Sequence, residues 1–244
     1  MKNIITTATL LAAGSALACA EIHTWDNASQ TVSGENVATW DITNSGLTWS
    51  SGVAESVIFT IDYTSIDASK SYALFSVKDI SYNGLTAIGI EDGNILFENW
   101  NDNTPTATYA LADITAEQNL TFVFSRNTSN NETLSIYADG NFESAIATLT
   151  GKTGQYFGGK NWTNLNFGGT TDSGYFQNVN NVMPSNAEAE AFSLIAAAYT
   201  VGAVATTEDL IQYGISAIPE PSAFGLLAGL GALALVGARR RRSR

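Results

Sequence analysis

Residues able to do chemistry are few in this chain and lie far apart. Cys19 is the one cysteine and His23 the one histidine. A nucleophile–histidine–acid relay needs its members side by side, and a structural zinc site needs several Cys or His ligands. One of each near the beginning of the chain builds neither. Carboxylates and aromatic rings remain. Hydrolysis of a sugar bond uses two carboxylates held ~5–9.5 Å apart. Glu188 and Glu190 are near neighbours, and Glu91 and Glu98 flank one expected hairpin. Nothing in the sequence makes either pair converge, so all four are read as solvated carboxylates and no catalytic residue is assigned.

Oxygen-rich triplets occur at Asp92-Gly93-Asn94, Asp139-Gly140-Asn141 and Asp172-Ser173-Gly174. A calcium site needs about six to eight converging oxygens, whereas Asp or Asn next to Gly is the chemistry of a tight turn. Turns are the reading taken, and no metal ligand is named. Gly151-Lys152-Thr153 ends like a phosphate-binding loop, but that pattern requires a glycine where this chain has Ile146.

The tryptophans are Trp25, Trp40, Trp49, Trp100 and Trp162. Exposed rings with polar neighbours make stacking platforms for sugars. Asn99-Trp100-Asn101-Asp102 and Asn161-Trp162-Thr163-Asn164 have that local composition, which makes Trp100 and Trp162 the candidate glycan-stacking residues. The competing reading is that a tryptophan in a β protein lies in the core or covers an edge. For each of the five that reading is preferred.

The elements that must position these residues are short strands. Val57, Phe59, Ile61 and Tyr63 alternate with Ile58, Thr60 and Asp62, which predicts a half-buried strand. Leu85 to Ile90, the turn at Asp92-Gly93 and Ile95 to Trp100 predict a hairpin. Leu120, Phe122 and Phe124 share one face, with Thr121, Val123 and Ser125 on the other, and Leu134 and Ile136 continue the pattern after a polar loop. One short helix is expected late in the domain. Thr206 caps it, Asp209 supports its first turn, Leu210, Ile211 and Tyr213 bury it, and Gly214 ends it. About ten short strands with one helix predict an all-β fold, an antiparallel two-sheet sandwich.

Composition agrees. Only 14% of residues are charged and 45% are hydrophobic, which argues against disorder. The net charge of −12 conceals an asymmetry. Outside the two terminal segments the basic residues are Lys70, Lys78, Arg126, Lys152 and Lys160, set against nearly all of the 23 acids. So acidic a body repels polyphosphate, and nucleic acid is excluded as a partner.

Both ends read as addresses. Lys2, the apolar run from Ile4 to Leu17 and the small residues Ala18 and Ala20 around Cys19 form a secretory signal over residues 1–20, with cleavage expected after Ala20. A lipoprotein signal would want a leucine where Ala16 stands. At the other end, Pro219-Glu220-Pro221 precedes an apolar segment, residues 223–238, and then Arg239, Arg240, Arg241 and Arg242. Phe224 to Ala238 would make ~22 Å of helix against a hydrocarbon core of ~30 Å. The arginines hold its end in the cytoplasm as a stop-transfer signal. Gly225 and Gly229 give a face for close helix contact.

The tail, with its three parts in order, resembles the PEP-CTERM sorting signal of Gram-negative bacteria. The resemblance implies an exosortase-type processing enzyme as partner, cleavage near Pro219 to Pro221, a transient membrane stage, and a destination at the cell surface, outer envelope or extracellular matrix. A plain C-terminal anchor would give Pro-Glu-Pro no role. The domain, residues 21–216, resembles laminin-G-like jelly rolls of the concanavalin A-like group. The stretches that carry this are Leu120 to Arg126, Thr133 to Gly140, and a last core strand followed by the Thr206 to Tyr213 helix. That resemblance implies a lectin-type sandwich with extracellular polysaccharide or a protein as candidate partner. Some such relatives bind calcium at a sheet rim, but no motif here supports it and no cofactor is assigned. Laminarinase-like enzymes of the group carry Glu, an apolar residue, Asp, two apolar residues and Glu on one strand, and Glu188-Ala189-Glu190 lacks both that spacing and the central Asp. The expectation is therefore a non-catalytic exported binding protein. A purely structural surface protein and a glycan hydrolase are the alternatives.

Overall fold

Alternating side chains turn one row of every strand inward, and two sheets close over the rows so formed. The computed structural model describes residues 21–26, 28–33, 36–48, 52–78, 85–98, 107–151, 164–168 and 189–217. Its larger sheet comprises β1 (Glu21–Thr24), β2 (Gln30–Val32), β4 (Glu55–Asp62), β9 (Asn119–Arg126), β10 (Glu132–Ala138), β11 (Ala147–Thr150) and β13 (Phe192–Val201). Their order is β1-β13-β4-β9-β10-β11, with β2 also paired to β13. The smaller sheet comprises β3 (Ala38–Asp41), β5 (Tyr72–Lys78), β6 (Leu85–Glu91), β7 (Asn94–Glu98), β8 (Ala107–Ala110) and β12 (Asn164–Phe167). Its order is β3-β12-β5-β6-β7-β8. The strands pair antiparallel throughout, which makes the predicted two-sheet sandwich.

Phenylalanines fill its centre. Phe59 stacks on Phe122 at 4.8 Å and on Phe75 at 5.5 Å, and meets Phe167 edge-on at 5.5 Å. These rings come from both sheets, so the cluster joins the layers as well as filling them. The predicted β6–β7 hairpin forms, and so does the expected turn at Asp139-Gly140. Asp92 and Gly93 turn β6 into β7 with φ of 48° and 71°, and Asp139 and Gly140 turn the chain out of β10 with φ of 51° and 73°. Positive φ at both central positions matches the right-handed twist of the strands.

Helix α1 (Thr207–Ala217) lies on the outer face of the larger sheet. Its start is a reciprocal cap: the Thr206 hydroxyl accepts from Asp209 N at 3.2 Å, and the Asp209 carboxylate accepts from Thr206 N at 2.8 Å. Leu210 and Tyr213 are buried against Ile58, Val123 and Ala198, at about 1.5–3 kcal/mol of stabilisation for each large side chain buried. The Tyr213 hydroxyl bonds to Thr60 Oγ1 at 2.8 Å. Burial pushes the Tyr213 phenol far above its ordinary range, and the Thr60 bond offsets only part of that.

Three expectations change here. Strand β4 is not half-buried. Its residues from Glu55 to Ile61 are buried, because α1 and Ala205 cover the face that would otherwise meet water, and Tyr63 falls in the 3-10 turn that follows. Ile211 was expected inside and is 46% exposed on the far side of α1. Gly214 does not end the helix, which runs on to Ala217. A Cβ at Gly214 would lie 2.6 Å from Phe142 Cε2, so glycine serves close packing there and not termination.

Candidate functional site

An open cleft of about 440 Å³ lies at one rim of the larger sheet. Four segments meet there. Ser29, Gln30 and Thr31 come from β2 and its approach, Asp62 and Thr64 from the end of β4, Gln118 and Asn119 from the start of β9, and Ser193 to Ile195 from β13. The ladder between β13 and β4 shifts register between Leu194 and Ala196. Such a bulge bends a strand and re-aims its side chains, and here it forms part of the cleft wall.

The floor is stiff. Asp62 Oδ1 accepts from Thr64 N at 2.9 Å and from the Thr64 hydroxyl at 2.6 Å, which fixes the turn after β4. Ser65 Oγ accepts from Ser193 N at 3.3 Å and joins that turn to β13. Tyr63 N donates to the Gln118 carbonyl at 2.7 Å. The strongest restraint is Asp139. Its carboxylate accepts the backbone N–H groups of Glu117, Gln118 and Asn119 at 2.9, 2.8 and 2.9 Å. The side-chain amides of Gln118 and Asn119, by contrast, make no hydrogen bond among the described residues. The backbone that carries them is clamped while their donors and acceptors stay open, an arrangement that lowers the ordering cost of binding.

Burial alone would raise the Asp139 pKa, but the three backbone donors outweigh it and hold the carboxyl below its usual range. A folded value below the unfolded one makes the carboxylate's contribution complete above the unfolded pKa of ~3.9, and that contribution fades as pH falls through the folded value. Asp139→Ala is therefore expected to cost about 1–2 kcal/mol at pH 7, through the lost acceptors. Urea midpoints should show the gap to wild type narrowing at pH 3. A gap of the same size at pH 3 would mean that the charged carboxylate is not what holds the turn.

Other predicted residues fall as follows. Trp100 and Trp162 lie outside the described residues, as do Ala18, Ala20, Pro219, Glu220, Pro221, the apolar segment 223–238 and Arg239 to Arg242. Trp25 and Trp40 are half-buried and stack on each other at 5.5 Å, with Trp25 also on Phe167 and Trp40 against Tyr199, which is the core-and-edge placement. Glu190 is exposed and paired with Lys70 at 2.9 Å. Glu98 corrects the expectation of a solvated carboxylate, since it is fully buried. Glu91 and Glu98 sit near opposite ends of the β6–β7 hairpin, at positions matched to Asn94 and Ala87. Four residues of strand set them ~13 Å apart along the hairpin, beyond glycosidase spacing. No group of three or more His, Cys, Asp or Glu is gathered for a metal among the described residues. No helix among them is long and apolar enough to cross a membrane.

Comparison with known proteins adds the C-terminal motif and bears on the fold. Residues 217–242 match the family described as PEP-CTERM protein-sorting motif. No curated protein matches the chain. Among solved structures, one of botulinum neurotoxin type C, described as dependent on two ganglioside molecules to get into cells, is similar over 82% of this chain and 47% of its own, at 14% identity and TM-score 0.50. The binding domain of botulinum neurotoxin DC in complex with rat synaptotagmin II is similar over 81% and 47%, at 14% and 0.48. The Ruminococcus gnavus IT-sialidase CBM40 bound to alpha2,3 sialyllactose is similar over 74% and 92%, at 14% and 0.46. The chain spans about half the length of the neurotoxin structures it matches. Helix α1 ends where the matched motif begins, so the sequence couples an antiparallel two-sheet β-sandwich directly to a PEP-CTERM protein-sorting motif that marks an exported, envelope-associated protein.

Proposed function

We propose that this is a cell-surface or envelope-matrix protein of a Gram-negative bacterium whose sandwich is a non-catalytic binding module for a glycan or a protein partner. Residues 1–20 are removed as a signal peptide, residues 21–216 are the mature domain, and residues 217–244 are a sorting segment processed by an exosortase-type enzyme near Pro219 to Pro221. Residues 223–238 hold the precursor in the inner membrane until then. The observation that carries this reading is the adjacency of the sorting motif to a folded domain with a polar, backbone-clamped cleft.

Strand β1 starts at Glu21, the residue expected to begin the mature chain, and ends up paired with β13. Ile22 packs with Leu210 and Tyr213 of α1, so the two ends of the domain lie side by side. Intact mass of the protein from its native envelope tests the processing. The expected species begins near Glu21 and lacks Arg239 to Arg244. A surface pool still ending at Arg244 would overturn the sorting half of the proposal.

A further inference from the structure

We propose that the rim cleft is the binding site for an uncharged, hydroxyl-rich polysaccharide segment, held by side-chain amides and hydroxyls without a metal ion. This rests on the reading of the sandwich as a binding module and narrows its ligand. Charge decides the first step. Among the described residues, Asp62 is the one ionisable side chain in the lining, and no lysine or arginine lies there. The domain around it is strongly acidic. An anionic glycan would enter a negative field with no cation to meet it, whereas a neutral one meets no such penalty.

Hydrogen-bonding chemistry decides the second. Gln118 and Asn119 each present a donor pair and an acceptor, and Thr31 and Ser193 each present a hydroxyl that can do either. Thr64 occupies Asp62 Oδ1, while Oδ2 makes no hydrogen bond among the described residues. Donors and acceptors in this mixture suit a run of sugar hydroxyls, each of which is itself both. A protein partner would need an apolar centre with aromatic or arginine anchors. Among the described residues the cleft has only Leu194, which is buried, and Ile195 from the bulge. Its openness suits a chain lying across the rim, not an enclosed small molecule.

The test uses the full chain in mild detergent, passed over immobilised dextran and β-1,3-glucan as neutral probes and over alginate and hyaluronate as acidic ones, each with and without EDTA. Retention on a neutral polysaccharide, unchanged by EDTA and weakened at least tenfold by the double substitution Gln118→Ala and Asn119→Ala, is expected. The side chains replaced make no hydrogen bond among the described residues, so an unchanged urea midpoint should accompany the loss. Retention on the acidic probes alone, or loss of all retention in EDTA, overturns the ligand class and leaves the binding-module reading standing. Neutral retention indifferent to the double substitution overturns the site. Retention on none of the probes overturns the inference itself, while intact mass continues to report separately on export and processing.

Discussion

Arg126→Met is expected to destabilise the fold by about 3–5 kcal/mol, far more than loss of a surface ion pair at about 0–1 kcal/mol. Arg126 is the last residue of β9, on its inward-facing row, and is 2% exposed. Glu55 of β4 and Glu132 of β10 stand opposite it on the two flanking strands, at 0% and 2% exposure. Its Nε lies 4.0 Å from Glu132 Oε1, and its Nη2 donates to Asn130 Oδ1 at 3.0 Å. Glu55 accepts from Thr48 N at 2.9 Å. Desolvation pulls the guanidinium pKa down, against the upward push of Glu132 and Glu55, so the arginine depends on both carboxylates as they depend on it. Methionine fills similar space and leaves two buried carboxylates without a cation between them. Adding Glu132→Gln to Arg126→Met should return at least 1 kcal/mol, because the charge left behind is then smaller. Guanidinium denaturation of the three variants measures this. A single-variant loss below 1 kcal/mol would mean that water reaches the cluster and screens it.

That cluster also shows which parts of the molecule a sequence displays. Leu120 to Ser125 announces its two faces because the signal is local, and Asp92-Gly93 and Asp139-Gly140 announce their turns for the same reason. The Thr206–Asp209 cap is likewise contained within one turn of chain. Glu55, Arg126 and Glu132 are separately unremarked polar residues, and only the order β4-β9-β10 puts them in one row. The cleft is hidden in the same way, since its lining is drawn from four separated segments, each polar enough to pass for a turn. One clue was available. Once β9 and β10 are paired so that Ala138 faces Leu120, Asp139 must fall beside Asn119, which predicts the clamp. Gly214 was misread because its reason is Phe142, a contact that sequence spacing cannot show.

Gly168→Ala carries the other large effect, and it bears on the cleft from a distance. Gly168 follows β12 of the smaller sheet at φ 78°, where an L-residue costs about 1–2 kcal/mol. A Cβ there would lie 2.6 Å from the Ser33 carbonyl oxygen, 3.2 Å from Ser33 N and 3.3 Å from Val32 Cβ. Two of these are backbone atoms at the end of β2, so no side chain can swing aside. Relief requires moving β2, whose Val32 is fully buried and whose ladder to β13 runs through Phe192, Ser193 and Leu194. Strain of this kind adds about 1–3 kcal/mol, for a total of roughly 2–5 kcal/mol. Gly140→Ala is the matched control, with φ 73° and nothing within 4 Å of its Cβ, so it should show the conformational cost alone. The difference between the two urea midpoints then isolates the steric contribution. Because Gln30 and Thr31 ride on the same strand, Gly168→Ala should also weaken whatever the cleft holds, and Gly140→Ala, without a steric push on β2, should do so less. Equal losses in both variants would mean that β2 yields without cost, and that the rim of the cleft is softer than its hydrogen bonds indicate.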